Sequence, residues 1–137
     1  MSANPAPEEI RTILRNARTV AVVGFSPKMD RPSYRIARAL QDFGYRIIPV
    51  RPALAEGLGE TAYASLRDLP GAPDIVDVFR AADAVEAIVD DCIAIGARHL
   101  WLQEGVVNEA AAARARAAGI TVVMDRCIWK DYRALLG

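Results

Sequence analysis

The sequence predicts an α/β fold: a doubly wound, parallel five-stranded sheet with helices on both faces, in a single domain over residues 1–137. Two features of the pattern carry this. Five short, largely apolar runs recur along the chain, each of strand length and most of them rich in Val and Ile. Segments of helical period stand between most of them, and strands joined by helices pair in parallel.

Pro7 to Ala17 reads as a first helix, with Glu8 and Glu9 in its opening turn and Ile10, Ile13, Leu14 and Ala17 at helical spacing. The first strand is Thr19 to Gly24. A loop with Ser26, Lys28, Arg31 and Ser33 leads to a helix from Pro32 to Phe43, which Gly44 caps. Tyr45 to Val50 is the second strand. Ala53 to Glu60 reads as loop, and Tyr63 to Leu69 as a short helical turn. Asp74 to Phe79 is the third strand, its apolar run interrupted by Asp77. From Ala82 to Ile95, Val85, Ile88, Val89 and Cys92 mark one helix face, and Gly96 closes it. His99 to Leu102 is the fourth strand. Asn108 caps an Ala-rich helix that stops at Gly119, Ile120 to Met124 is the fifth strand, and Cys127 to Leu136 closes the chain as a helix.

Composition narrows the function. Hydrophobic residues make up 53% of the chain, too many for a disordered one. Lys plus Arg equal Asp plus Glu at 17 each, which argues against a double-stranded nucleic-acid binder. Two cysteines, Cys92 and Cys127, form no CxxC pair, and no apolar run reaches membrane-spanning length. Met1 to Pro7 lacks the apolar stretch of a signal peptide. The expectation is a cytoplasmic protein with no membrane and no nucleic-acid partner. A protein partner or a homo-oligomer stays open.

Ligands of doubly wound sheets bind beyond the carboxyl ends of the strands. The residues to question are therefore Gly24 to Ser33, Pro49 to Arg51, Phe79 to Arg80, Gln103 to Gly105, and Asp125 to Arg126. A Gly-led loop before a helix N-terminus suits phosphate, and Lys28 and Arg31 strengthen that reading. The GxGxxG fingerprint of a Rossmann dinucleotide site is absent, because Ser26 stands where the second glycine belongs. The second strand ends in Arg51, whereas an NAD site carries Asp or Glu there. A guanidinium suits an additional ribose phosphate, as in NADP or coenzyme A. Solvated cations around a plain turn would give the same residues.

Read together, Val-Gly-Phe-Ser at 23–26, Arg-Pro-Ser-Tyr at 31–34, Gly-Tyr-Arg-Ile-Ile-Pro-Val at 44–50, Val-Asp-Val-Phe-Arg at 76–80, Trp-Leu-Gln-Glu-Gly at 101–105 and Val-Met-Asp-Arg-Cys at 123–127 resemble the small single-domain CoA-binding proteins. Leu58 to Leu66 adds to the match. These proteins are similar to the N-terminal CoA-binding domain of the succinyl-CoA synthetase α subunit. The resemblance implies a Rossmann-like fold and coenzyme A or an acyl-CoA as small-molecule nucleotide ligand. It places Gly24, Phe25, Ser26, Lys28, Arg31 and Ser33 on the pyrophosphate side. Pro49, Val50 and Arg51 would border the adenosine and its 3′-phosphate. Phe79 and Arg80 would line the adenine or pantetheine path, with Gln103 and Gly105 towards the thiol. Arg51 departs from the family, which usually has Asn there.

Catalytic residues are not evident. The one histidine, His99, opens the fourth strand, at the wrong end of the sheet for a ligand. Ser26 and Ser33 have no base in their motif, and one His with two scattered Cys makes no zinc site. Cys127, just past the fifth strand, is a candidate for a mixed disulfide with the CoA thiol. Asp125 has no visible partner as a base. The expectation is non-catalytic binding of CoA or acyl-CoA. The alternatives are an NADP-binding redox or sensor protein, and the CoA-binding half of a split acyl-CoA ligase.

Overall fold

The computed structural model describes residues 4–137; the first three residues of the Met1–Pro7 segment lie outside them. The elements run α1 (Pro7–Asn16), β1 (Thr19–Val23), α2 (Pro32–Asp42), β2 (Arg46–Val50), β3 (Glu56–Gly57), β4 (Glu60–Thr61), a 3-10 turn at Leu66–Asp68, β5 (Ile75–Val78), a second 3-10 turn at Ala82–Ala84, α3 (Val85–Ile95), β6 (His99–Leu102), α4 (Glu109–Ala117), β7 (Thr121–Met124) and α5 (Ile128–Leu135). Five strands form one sheet in the order β2-β1-β5-β6-β7, and each neighbouring pair is parallel. From β1 the chain winds outward to β2, then returns to β5 on the other side of β1. The direction of winding therefore reverses between β1 and β5, which opens a crevice at their carboxyl ends.

Side chains alternate across the strands and build two cores. One face carries α3 and α4, through Val85, Ile88, Val89, Cys92, Ala111 and Ala115. The other carries α1, α2 and α5, through Ile10, Leu14, Ala37, Leu40 and Ile128. Ala111, Ala112 and Ala115 of α4 are fully buried in this core. Asp77 lies on the second face, paired in register with Val22 and Trp101 and fully buried. Neither of its carboxyl oxygens has a hydrogen-bond partner, and burial pushes its pKa well above the ordinary carboxylate range.

The segment read as a plain loop contains the β3–β4 hairpin, whose turn residues Leu58 and Gly59 both have positive φ. Two-residue strands carry no alternation for a sequence pattern to show. The Gln41 side chain donates to the Leu58 carbonyl at 2.9 Å and ties the hairpin to α2.

Both sheet edges are partly covered. At β2, the Arg51 amide donates to the Tyr63 carbonyl and the Tyr63 amide to the Pro49 carbonyl. At β7, the Asn4 carboxamide accepts from the Met124 amide at 2.7 Å and donates to the Met124 carbonyl at 2.9 Å. Arg116 donates to the Val122 carbonyl at 3.2 Å. No helix among the described residues is long and apolar enough to cross a membrane.

Candidate ligand-binding site

At the crevice, Gly24 leaves β1 with φ +84° and donates its amide to the Val50 carbonyl. A Cβ there would stand 2.5 Å from the Phe79 carbonyl oxygen and 2.9 Å from Arg80 Cδ. Glycine is therefore required both by its backbone angle and by the close approach of β5. The loop is then shaped by its serines. Ser33 Oγ accepts from the Ser26 amide at 2.9 Å, and Ser26 Oγ accepts from the Lys28 amide at 3.2 Å. Pro32 and Ser33 start α2, whose N-terminus faces the loop with no side-chain cap.

The resulting cleft has a volume of about 520 Å³. Gly24, Ser26, Lys28, Arg31, Ser33, Arg51, Phe79, Arg80 and Gln103 all line it, as do Pro32, Glu104 and Val106. Its four cations make no salt bridge among the described residues. Arg51 spends one weak bond, 3.4 Å, on the Phe25 carbonyl. The cleft's one carboxylate, Glu104, is held by Lys130 at 3.1 Å. A chain of zero net charge thus concentrates unpaired positive charge on one wall.

A second, more apolar cleft of about 600 Å³ adjoins the first through Gly24, Arg51 and Arg80. Val23, Val50, Pro52, Leu66, Ala84 and Ile88 line it, and its carboxylate, Asp91, is taken by Arg67 at 2.6 Å. Gln103, 5% exposed, accepts the Ile128 amide on its Oε1 at 3.2 Å. Gln103 lines the first cleft, and its NH2 group makes no hydrogen bond among the described residues.

Several candidate residues sit elsewhere. The Phe25 ring is fully buried, against a position where a Cβ on Gly57 would lie only 2.6 Å away, so Phe25 offers the cleft its backbone. Pro49 is buried in β2, and Val50 reaches only the second cleft. Gly105 is exposed beside the first cleft and donates its amide to Asp125 Oδ1 at 2.7 Å. Phe79 is half-buried, both lining the cleft and packing on the core. Cys127 is buried at the N-terminal end of α5, off the walls of both clefts. Trp101 is core, its indole donating to the Arg126 carbonyl at 2.8 Å, and Trp129 is covered by Arg133.

His99 lies at the opposite end of the sheet, near Asp74, Glu9 and Arg98. Burial and the Arg98 charge lower its pKa. Burial pushes Asp74 up, but the Arg18 and Thr19 amides and the Thr19 hydroxyl outweigh it and hold the carboxyl below its ordinary value. That carboxylate fastens the starts of β1 and β5 together. Pro32 and Glu104 fall inside the loops that the sequence singled out without being named as ligand contacts, and Val106, one residue beyond, was missed.

Among known proteins, YneT of Bacillus subtilis (strain 168) is 42% identical over 125 residues, which cover 91% of this chain and 93% of YneT. A solved structure from Thermus thermophilus, cell-free ID.343, superposes with a TM-score of 0.92 at 36% identity, covering 96% of this chain and all of the other. A dinucleotide-forming acetyl-coenzyme A synthetase from Ca. Korarchaeum cryptofilum matches 78% of this chain with a TM-score of 0.70 and 26% identity, over 26% of its own length. The family model described as CoA binding domain matches residues 18–133, from the start of β1 almost to the end of α5, and the chain belongs to that family.

Proposed function

We propose that this protein holds coenzyme A, free or as an acyl thioester, without acting on it chemically. The carrying observation is the cluster of Lys28, Arg31, Arg51 and Arg80, unpaired around a Gly24 turn that a Cβ would close. Coenzyme A joins a flat adenine to three phosphates and a long uncharged arm; the cationic cleft suits the phosphates and the arm, and the adjoining apolar cleft suits the adenine. The pyrophosphate lies at the Gly24–Ser33 loop and the α2 N-terminus. Arg51 and Arg80 take the 3′-phosphate. The adenine enters the apolar cleft between Val50 and Ile88, and the Gln103 NH2 donates to a carbonyl of the pantetheine arm. The Ser26 and Ser33 hydroxyls shape the loop with no base beside them, and the imidazole stands at the far end of the sheet.

The test is thermal unfolding with CoA, acetyl-CoA, NADP, NAD and ATP. A specific ligand at 100 times its Kd stabilises the fold by about 2.7 kcal/mol. CoA and acetyl-CoA are expected to give that shift; NADP shifting the protein while CoA does not refutes the reading. A second reading, the CoA-binding half of a split acyl-CoA ligase, is favoured by the match to a quarter of the Korarchaeum synthetase. It requires a separate catalytic chain. Acyl-CoA turnover with ADP and phosphate by the purified chain alone would contradict both readings.

A further inference from the structure

Charge is sorted along the carboxyl edge of the sheet. Arg51 follows β2, Lys28 and Arg31 follow β1 with Asp30 between them, and Arg80 follows β5 with Asp83 three residues on, a net excess of cations; Glu104 then follows β6, and Asp125 follows β7. The cations near the acidic half are already engaged. Lys130 donates to both Glu104 oxygens at 3.1 and 3.3 Å, and Arg126 pairs with Asp131 at 2.7 and 2.8 Å. Asp125 accepts the Gly105 amide but has no cationic partner among the described residues. The basic half is thus free for phosphates, while the acidic half carries excess negative charge.

This polarity orients the ligand. Three phosphates belong over β2, β1 and β5, so the uncharged arm runs towards β6 and delivers the thiol, or the acyl group on it, to Gln103, Glu104 and Val106 on the cleft wall. Resting on the proposed function above, we infer that Glu104 is a specificity-determining residue: the site takes CoA thioesters whose acyl group is uncharged and disfavours those whose acyl group ends in a carboxylate. An acidic acyl group would meet the Glu104 carboxylate directly. The ammonium that would otherwise receive it, Lys130, is occupied by the same glutamate. Glu104 therefore acts twice, as a like charge and as the group that masks a cation.

Titration calorimetry with CoA, butyryl-CoA and succinyl-CoA tests this, because the two thioesters have the same acyl length and differ in the terminal carboxylate. The wild-type protein is expected to bind butyryl-CoA tighter than succinyl-CoA by up to about fivefold, the size of one like-charge contact at a solvent-facing site, part of which Lys130 offsets. The ratio should shrink in 0.5 M salt. Glu104→Gln unmasks Lys130 and should bring the ratio to one or reverse it, and adding Lys130→Ala should remove that gain for succinyl-CoA. Equal or tighter binding of succinyl-CoA by the wild type overturns the inference, as does a ratio unmoved by Glu104→Gln. Failure of unacylated CoA to bind would instead overturn the underlying ligand assignment.

Discussion

Asp77 offers the sharpest physical test of the fold. Its carboxyl is fully buried between Val22 and Trp101 with both oxygens unpaired, and that burial raises its pKa well above the ordinary carboxylate range. In the unfolded chain the same group ionises at about pH 3.9. Its folded pKa is raised, so the stability it allows is fully present below pH 4 and drains away as pH rises towards the folded value. Within that window the folded state binds up to one more proton than the unfolded state. The slope inside that window is negative and is at most about 1.4 kcal/mol per pH unit, the value for one proton. Asp77→Asn keeps the shape and cannot ionise, so it removes the slope. Urea unfolding of both proteins at pH 5, 6 and 7 isolates the effect, since the other titrating groups cancel in the difference. Wild-type and Asp77→Asn stabilities that stay parallel over this range would show that Asp77 does not hold its proton, and the reasoning would fail. Asp77→Val, which suits a central strand, should be more stable than wild type at pH 7 by at least the roughly 1–3 kcal/mol that an unpaired buried polar group costs.

Gly24→Ala should destabilise the protein by at least about 2 kcal/mol, because a left-handed alanine alone costs 1–2 and the Phe79 carbonyl it strikes belongs to a residue whose amide is fixed to Val23. Calorimetric melting would show this, and an unchanged Tm would refute it. Arg31→Ala and Arg51→Ala should each weaken CoA binding by about tenfold, one charge-assisted contact, while leaving the melting temperature of the free protein in place; wild-type affinity in both would remove them from the phosphate site. Burial and the neighbouring Asp91 push the Cys92 thiol up to about 12. Iodoacetamide at pH 8 should therefore leave Cys92 unlabelled in the folded protein and label it in urea, and rapid labelling of the folded form would contradict its placement.

The cationic wall of the cleft was legible because it is local. Gly24, Ser26, Lys28, Arg31 and Ser33 follow one strand within a few residues, and the rule that ligands sit beyond strand ends brought in Arg51, Phe79, Arg80 and Gln103. The apolar cleft was not legible. Leu66, Ala84 and Ile88 meet Val50 only because the chain crosses from β2 to β5 on the far side of β1, and nothing in their own spacing shows that. Ring direction was hidden too. Phe25 stands at the start of the Gly24–Ser33 loop, yet its ring is buried in the core, where Gly57, more than thirty residues on, leaves room for it. Asp77 was visible as a break in an apolar run, but its complete burial and its lack of any partner needed the coordinates.

The Asn4 clamp on Met124 bears on how copies of this protein can meet. A single carboxamide presents one donor and one acceptor at the spacing of a peptide group, so it substitutes for the first link of a sixth strand. An extended segment seeking to add at β7 must first evict that side chain and the Arg116 guanidinium beside it. At the opposite border, Tyr63 already occupies the end of β2. Growth of the sheet from molecule to molecule is thereby discouraged on both flanks. Contacts between molecules are left to the helical layers and to the rim that carries the clefts. The residues just ahead of α1 are thus part of the folded unit, and trimming the chain past Asn4 would expose a template for strand exchange.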